Sequence, residues 1–442
     1  MIDSAAVLAE AAAESGVAGA QLAVAGPGGL TAHAVGWADA AEHRPLTDDG
    51  ILQLGSISKP LVALAALRLA EQGRLDPDAP LAATVPAFAP RDPAARAITA
   101  RHVMSMSSGL DTGPYVTGDD VDGYLRLVAD DPLLFAPGEA FAYSGVGIVL
   151  LARALEHLTS LAWHAAVAQL VLGPAGLDGI RLDGAHRHEP GHRLERSGAL
   201  ITRYDAGDMP AMGPTGTTAT GTASDLARLG ALLAGDGDGV LAPATLAAVH
   251  APVTPVSAGL IADHWGLGVY HRTIADAAGR PLQIAGHGGR WSDGVCDVVW
   301  LPGRRLAYAV ATNTPQRAGA LIQAVGRRML PALSGVDDAW PSPAPVAVDR
   351  AETRALAGSY TSPAARFEVT PVAEGLQLRV TRHPRPGTVD AWGETDATLA
   401  PIGPRRYLPV AEGLDERRLQ EVWFSPDGRF VYDGLAAGRR DG

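Results

Sequence analysis

Residues 52–76 read LQLGSISKPLVALAALRLAEQGRLD and hold the only lysine of a 442-residue chain whose 36 basic residues are otherwise all arginine. From Leu61 to Gly73 apolar residues recur at helical spacing, and Gly73 stops the helix. A short strand-like run precedes it, so Ser56 stands directly after a strand-to-helix turn. Ser56 and Lys59 are three apart at the helix start, which places both side chains on one face. Arginine stays protonated at any physiological pH, whereas a lysine amine can lose its proton when desolvated. A composition that swaps lysine for arginine wherever charge suffices would spare one lysine where a neutral base is needed. A lysine surviving by chance on a helix surface is the alternative. The partial positive charge of a helix start disfavours ammonium at Lys59 and favours alkoxide at Ser56, and both effects activate a serine nucleophile.

Outward from this stretch, the chain alternates between β and α character. MIDSAAVLAEAAAESGVAG predicts an amphipathic helix, and AGAQLAVAG and LTAHAVGWAD, joined by GPGG, predict a hairpin. ITARHVMSMSSGL and PGEAFAYSGVGIVLLARALEHLTS predict further helices broken by Ser/Gly loops. Thr222 precedes Asp225 by three residues, an Asp variant of the capping box that opens another helix. LQIAGHG, GVCDVVWL and RLAYAVATN predict an antiparallel meander, and a closing helix runs from Gln316 to Leu333. Strands at both ends with helices between imply one unit, residues 1–334, whose sheet is assembled from distant segments. Residues 335–350 include the Pro-rich DDAWPSPAPVAVD, a semi-rigid linker. Across residues 351–442, GSYTS, RFEVTPV, LQLRV, EVWFS and GRFVYDG predict a small β-barrel or sandwich. The fold class is therefore α+β with an all-β tail.

Composition narrows the partners. A net charge of −12, spread without long acidic or basic runs, argues against nucleic acid or an anionic membrane. A small-molecule or peptide acyl substrate fits better. The acidic N-terminus lacks the basic start and apolar core of a secretory signal, which leads us to expect a cytoplasmic protein. Lone Cys296 excludes an internal disulfide and any Cys-based zinc site, and its alternating surroundings predict a packed strand position. The chemistry calls for no cofactor and no metal.

Beyond the Ser-x-x-Lys pattern, four blocks together resemble one known family. They are residues 36–81 (GWADAAEHRPLTDDGILQLGSISKPLVALAALRLAEQGRLDPDAPL), ITARHVMSMSSGL, APGEAFAYSGVGIVLLARALE and GHGGRWSDG. The resemblance is to the serine β-lactamases and penicillin-binding proteins, in particular the class C-like branch of esterases and D-aminopeptidases. It spans most of residues 15–330 and implies a β-lactamase-like unit, an antiparallel sheet flanked by helices plus an all-helical region. A lipocalin-like barrel as the tail would match the two-part layout of D-aminopeptidases and of penicillin-binding-protein-type thioesterases and transacylases.

The resemblance also implies site residues. The family's Tyr-x-Asn falls on Tyr143, Ser144 and Gly145. Tyr143 would relay protons between serine, lysine and leaving group, a role suited to a phenolate held near a cation. Gly145 in place of asparagine removes a contact that β-lactamases use on the antibiotic's side-chain amide. The Lys-Thr-Gly motif appears as His287, Gly288 and Gly289, where His287 would donate to a substrate oxygen or assist proton transfer. The backbone N–H groups of Ser56 and Arg290 would form an oxyanion hole, with Arg290 and Trp291 lining the pocket. His186, His188 and His192 in HRHEPGH invite a metal reading, but no carboxylate or cysteine completes a recognisable spacing, and a solvated loop is expected. The reaction implied is acyl transfer from an amide, ester or thioester to water, or to an amine or alcohol. A sensor or pseudoenzyme that binds without turnover is the reading from another class.

Overall fold

The computed structural model describes residues 2–185, 187–195, 200–203, 209–235, 237–256, 262–275, 278, 280–336, 344–383, 385, 388–389, 394–410, 421–433 and 436–441. The Asp3 carboxylate accepts from the Ala5 and Ala6 amides and starts the Ser4–Ser15 helix, which Gly16 ends at φ 68°. Nine antiparallel strands then form the main sheet. Their spatial order is Arg44–Pro45, Gly29–Asp39, Gly19–Gly26, Leu306–Thr312, Val295–Leu301, Pro281–Arg290, Tyr270–Ala275, His264–Trp265 and Thr254–Pro255. The sheet does join distant segments, because Ala20 pairs with Thr312. The hairpin at GPGG, the meander and the buried strand position of Cys296 are as expected.

Strand alternation divides the core in two. Leu22, Val299, Leu301, Tyr308 and Val310 face the Ser4–Ser15 and Ala318–Ser334 helices on one side. Ala285, Val298, Trp300, Ala307 and Ala309 face the helical region on the other. There the Ala223–Ala234 helix begins with the expected capping box, in which Thr222 and Asp225 each bond the other's backbone N–H. The Ser58–Glu71 helix is buried along nearly its whole length, whereas the ITARHVMSMSSGL stretch yields only a five-residue helix, Ala100–Met104.

The tail is a closed eight-stranded barrel. Its strands are Gly358–Thr361, Ala365–Val372, Gly375–Arg382, Thr395–Gly403, Arg406–Pro409, Val422–Phe424, Phe430–Asp433 and Ala436–Arg440. Closure comes from Tyr360 pairing with Arg440. Three of these strands, Thr395–Gly403, Arg406–Pro409 and Ala436–Arg440, are absent from the sequence reading, because Pro, Gly and Arg interrupt their alternation. Tyr360, Phe367, Leu376, Leu399 and Phe424 fill the lumen, so the barrel interior is a packed core. The Arg350–Leu356 helix seats Leu356 in that core, and its Glu352 accepts from the Tyr407 hydroxyl at 2.9 Å. Of the expected linker, residues 337–343 lie outside the described residues.

Period-two alternation sends Val422, Phe424 and Val431 into the lumen and Trp423, Phe430 and Tyr432 outward. The outward set packs into the core of the helical region. Trp423 and Tyr432 stack at 3.7 Å, and both meet Phe141 at 6.3 Å between ring centres. A separate two-residue strand, Thr388–Val389, pairs with Tyr115–Val116 of the helical region. Arg385 and Asp131 form an ion pair at 3.0 Å beside it. No single helix among the described residues is long and apolar enough to cross a membrane.

Candidate active site

Ser56 lies in a single tight turn, Gly55–Ile57, that runs directly into the Ser58–Glu71 helix. Three glycines let neighbouring backbones close on it. A Cβ on Gly55, at φ +54°, would fall 2.4 Å from the Arg290 nitrogen. One on Gly289 would fall 1.8 Å from the Leu54 carbonyl oxygen, and one on Gly216, at φ +114°, would fall 2.5 Å from the Ser56 nitrogen. Only glycine permits these approaches. The Arg290 backbone is thereby brought against Gly55, the residue before Ser56.

Lys59 Nζ stands 2.8 Å from Ser56 Oγ and donates to the Thr215 carbonyl at 2.5 Å. It is 4% exposed, and burial lowers its pKa from 10.5 to about 7. Burial, rather than the helix end invoked from sequence, is the cause. A free amine is therefore accessible at neutral pH, in hydrogen-bond contact with the hydroxyl it would deprotonate.

Tyr143 closes the other side. Burial pushes its phenol well above the ordinary 10, against a hydrogen bond with Ser56 that acts the other way. Burial thus favours the neutral hydroxyl over the phenolate expected from sequence. The ring is held edge-on by Trp265 at 5.6 Å, faces His287 at 6.3 Å and lies 5.0 Å from Lys59 Nζ.

His287 is 2% exposed, and burial with the nearby Lys59 charge lowers its pKa to about 3. Its Nδ1 lies 2.7 Å from the Gly288 carbonyl, which can only accept, so the proton sits on Nδ1. Nε2 is then a bare, buried acceptor without a partner. Of the two roles expected from sequence, this neutral tautomer leaves Nε2 able to accept a proton but not to donate to a substrate oxygen.

The missing asparagine also has a physical reason. A Cβ on Gly145 would meet the Thr112 carbonyl oxygen at 2.5 Å and the Thr215 methyl at 3.5 Å, so backbone occupies the space of the side chain. Ser144 caps the Gly145–Thr159 helix by accepting from Gly147 N at 2.9 Å. Gly288 is exposed and lies opposite Asp297 on the neighbouring strand. The Arg290 guanidinium donates to the Pro315 carbonyl at 2.9 Å. Trp291 stacks on Tyr115 at 5.3 Å and 27°. Ser56, Lys59, Tyr143, His287, Gly289 and Arg290 converge, and Gly145 and Trp291 border them.

The histidine stretch behaves differently from its sequence. His192 is a buried strand residue whose Nε2 accepts from Ala40 N at 3.0 Å, which corrects the solvated-loop expectation there. His188 bonds the Glu189 carbonyl, and His186 lies outside the described residues. Among the described residues no group of three or more His, Cys, Asp or Glu could hold a metal ion. Sequence reasoning missed Thr215, which acts through a backbone carbonyl and leaves no side-chain signal. It also missed Trp265, whose two-residue strand is too short for periodicity to mark, and Tyr115.

A family model described as beta-lactamase matches residues 5–362. Esterase EstB of Burkholderia gladioli is 35% identical over 167 residues, which cover 34% of this chain and 42% of that protein. Penicillin-binding protein 4* of Bacillus subtilis (strain 168) is 28% identical over 177 residues, 37% of this chain and 38% of that protein. The matched segment thus spans less than half the length of either curated relative. Among solved structures, SurE superimposes with a TM-score of 0.74 at 25% identity, covering 99% of this chain and 98% of its own. SurE has also been solved with D-Leu, at a TM-score of 0.70 and 25% identity.

Proposed function

The chain belongs to the beta-lactamase family, and from that membership and the 2.8 Å Ser56–Lys59 contact we propose that it is a serine-dependent acyl-enzyme hydrolase or acyltransferase. Its substrate is an amide, ester or thioester of a small molecule or short peptide. The neutral Lys59 amine takes the Ser56 proton as Oγ attacks the carbonyl. Backbone N–H groups of Ser56 and Arg290 hold the oxyanion, each such donor being worth on the order of 10²–10³ in rate. Tyr143, a neutral phenol, hands its proton to the leaving group and is reprotonated from Lys59. Water or an amine then attacks the acyl-enzyme by the same route in reverse. In this reading residues 1–334 carry the chemistry.

For the acyl group we propose a D-configured aminoacyl unit, a choice supported by the likeness to SurE, which was solved with D-Leu. Transfer to an amine rather than water is favoured by one observation. The Thr388–Val389 strand pairs with Tyr115, which stacks on Trp291, and this half-buried aromatic surface at the border of the site would hold an organic amine better than water.

The test is the intact mass of the protein after incubation with activated esters, a D-aminoacyl amide and a peptidyl thioester. Wild type is expected to gain the acyl mass, and Ser56→Ala and Lys59→Arg to gain none. Added amines that shorten the adduct's lifetime and appear in product establish transfer. A wild type that binds these compounds without acylation would be a sensor instead.

A further inference from the structure

Tyr143 is bracketed by two hydrogen-bond routes, and both end in the barrel. On its N-terminal side, the Tyr432 hydroxyl donates to the Phe141 carbonyl at 3.1 Å in a buried contact. On its C-terminal side, Ser144 Oγ donates to the Asp111 carbonyl at 2.9 Å, and the Asp111 carboxylate accepts from the barrel's Ala364 N at 2.8 Å. Asp111 is itself buried, and its other carboxylate oxygen accepts from Thr112 N at 2.6 Å. Phe141 carries the same connection through packing. Its ring lies against Trp423 and Tyr432 on one side and against Trp265 on the other, and Trp265 holds the Tyr143 ring.

The helical region holds this segment as well, through Met106 and the Asp111 carbonyl. Its direct backbone hold is Met106, whose carbonyl accepts from Ala142 N at 2.8 Å and whose thioether lies 3.5 Å from Ser144 N. Met106 sits at φ 53°, a costly conformation for a non-glycine residue that persists only when its surroundings impose it. A buried hydroxyl–carbonyl bond between two separately built units, placed two residues from the phenol, is worth little as bulk stability. It has a large effect as geometry, because proton transfer depends on tenths of an ångström.

We propose that Tyr432, together with Asp111, is a positioning residue for Tyr143, so that the barrel sets the phenol's reach to the leaving group. The inference rests on the proton-relay role given to Tyr143 above. Tyr432→Phe deletes one hydrogen bond and keeps the stack on Trp423. Its effect is expected to depend on how much the leaving group needs a proton. With the anilide of an acyl group, kcat/KM, which reports acylation alone, is expected to fall roughly tenfold; with the nitrophenyl ester of the same acyl group, whose leaving phenolate departs unprotonated, the loss in kcat/KM is within about twofold.

Asp111→Asn, which leaves either Thr112 N or Ala364 N without its acceptor, is expected to show the same selective loss. Tyr143→Phe gives the limiting pattern. A global loosening would lower both substrates equally, so equal losses, or no loss in a normally folded variant, overturn the proposal. The wild type is labelled first. A wild type that forms no acyl adduct on Ser56 refutes the acyl-enzyme reading itself. A wild type that labels, with variants that keep the anilide-to-ester ratio, refutes only the positioning role.

Discussion

Scarcity singled out Lys59 in a chain that uses arginine elsewhere, and the structure sets its amine 2.8 Å from Ser56 Oγ, where the proposed reading needs a removable proton. Its environment was not legible, since burial comes from segments more than a hundred residues away, Thr215 among them. A folded pKa lowered to about 7 leaves the amine neutral above that value, so activity is expected to rise with pH through about 7. His287 titrates at about 3 and Tyr143 well above 10, so neither adds a limb between pH 5 and 9 in this reading. A kcat/KM profile flat from about pH 5.5 to 8.5 would contradict it. The same sign governs stability. The unfolded chain binds a proton that the fold does not between about 7 and 10.5, so the Lys59 contribution to stability rises across that window and is lost as pH falls through it. Lys59→Arg, with a permanent buried cation, is expected to cut turnover by about a thousandfold or more while binding persists, as measured by steady-state kinetics and ligand titration. The tautomer of His287 and the protonated state of Tyr143 could not be read from residue types, because a neighbouring carbonyl and the local dielectric decide them. At Gly145 the sequence showed a departure, and the structure supplies its cause. Gly145→Asn is expected to lower Tm by several degrees and to confer no β-lactam hydrolysis, since the new side chain must displace the Thr112 carbonyl. A stable variant that hydrolyses a penicillin would show that the carbonyl yields.

At the scale of elements, periodicity located the long helices and the meander, because both bury one face along many residues. It failed on the two-residue strands Tyr115–Val116, His264–Trp265 and Thr388–Val389, which carry too few residues for any period and are fixed by partners. The Pro281–Arg290 strand depends on one close approach. Gly289→Ala places a methyl on the Leu54 carbonyl, pushes the strand end outward and separates the two oxyanion donors. Turnover is expected to fall about a hundredfold or more, and a kcat within twofold of wild type would remove Arg290 from that role. Thr222→Ala serves as the contrast. Losing the capping box of the Ala223–Ala234 helix is expected to cost about 1 kcal/mol in urea unfolding and to leave kcat within about twofold, because the Thr222 side chain bonds Asp225 and none of Ser56, Lys59 or Tyr143.

For the whole molecule, the sequence reading reached a sheet made of distant strands and a β tail, and stopped at how the two meet. The contact is written in outward-facing aromatics, Trp423, Phe430 and Tyr432, which look in sequence like any strand residues. A chain ended at Ser334 is expected to come out insoluble or inactive, since it exposes Phe135 and Phe141, and light scattering of the purified fragment would report it. A monodisperse, active fragment would make the barrel an accessory. The pairing of Ala20 with Thr312 also sets a clock. Partners roughly three hundred residues apart cannot meet until both have left the ribosome, roughly 15–60 s apart at ordinary rates of synthesis. The Ser58–Glu71 helix can form early from local contacts, but its sheet cannot close behind it in that interval, and Tyr432 emerges later still. A nascent chain therefore carries Ser56 and Lys59 for most of its synthesis without the sheet that closes behind them, and on the proposed reading acylation waits until the later strands have been made.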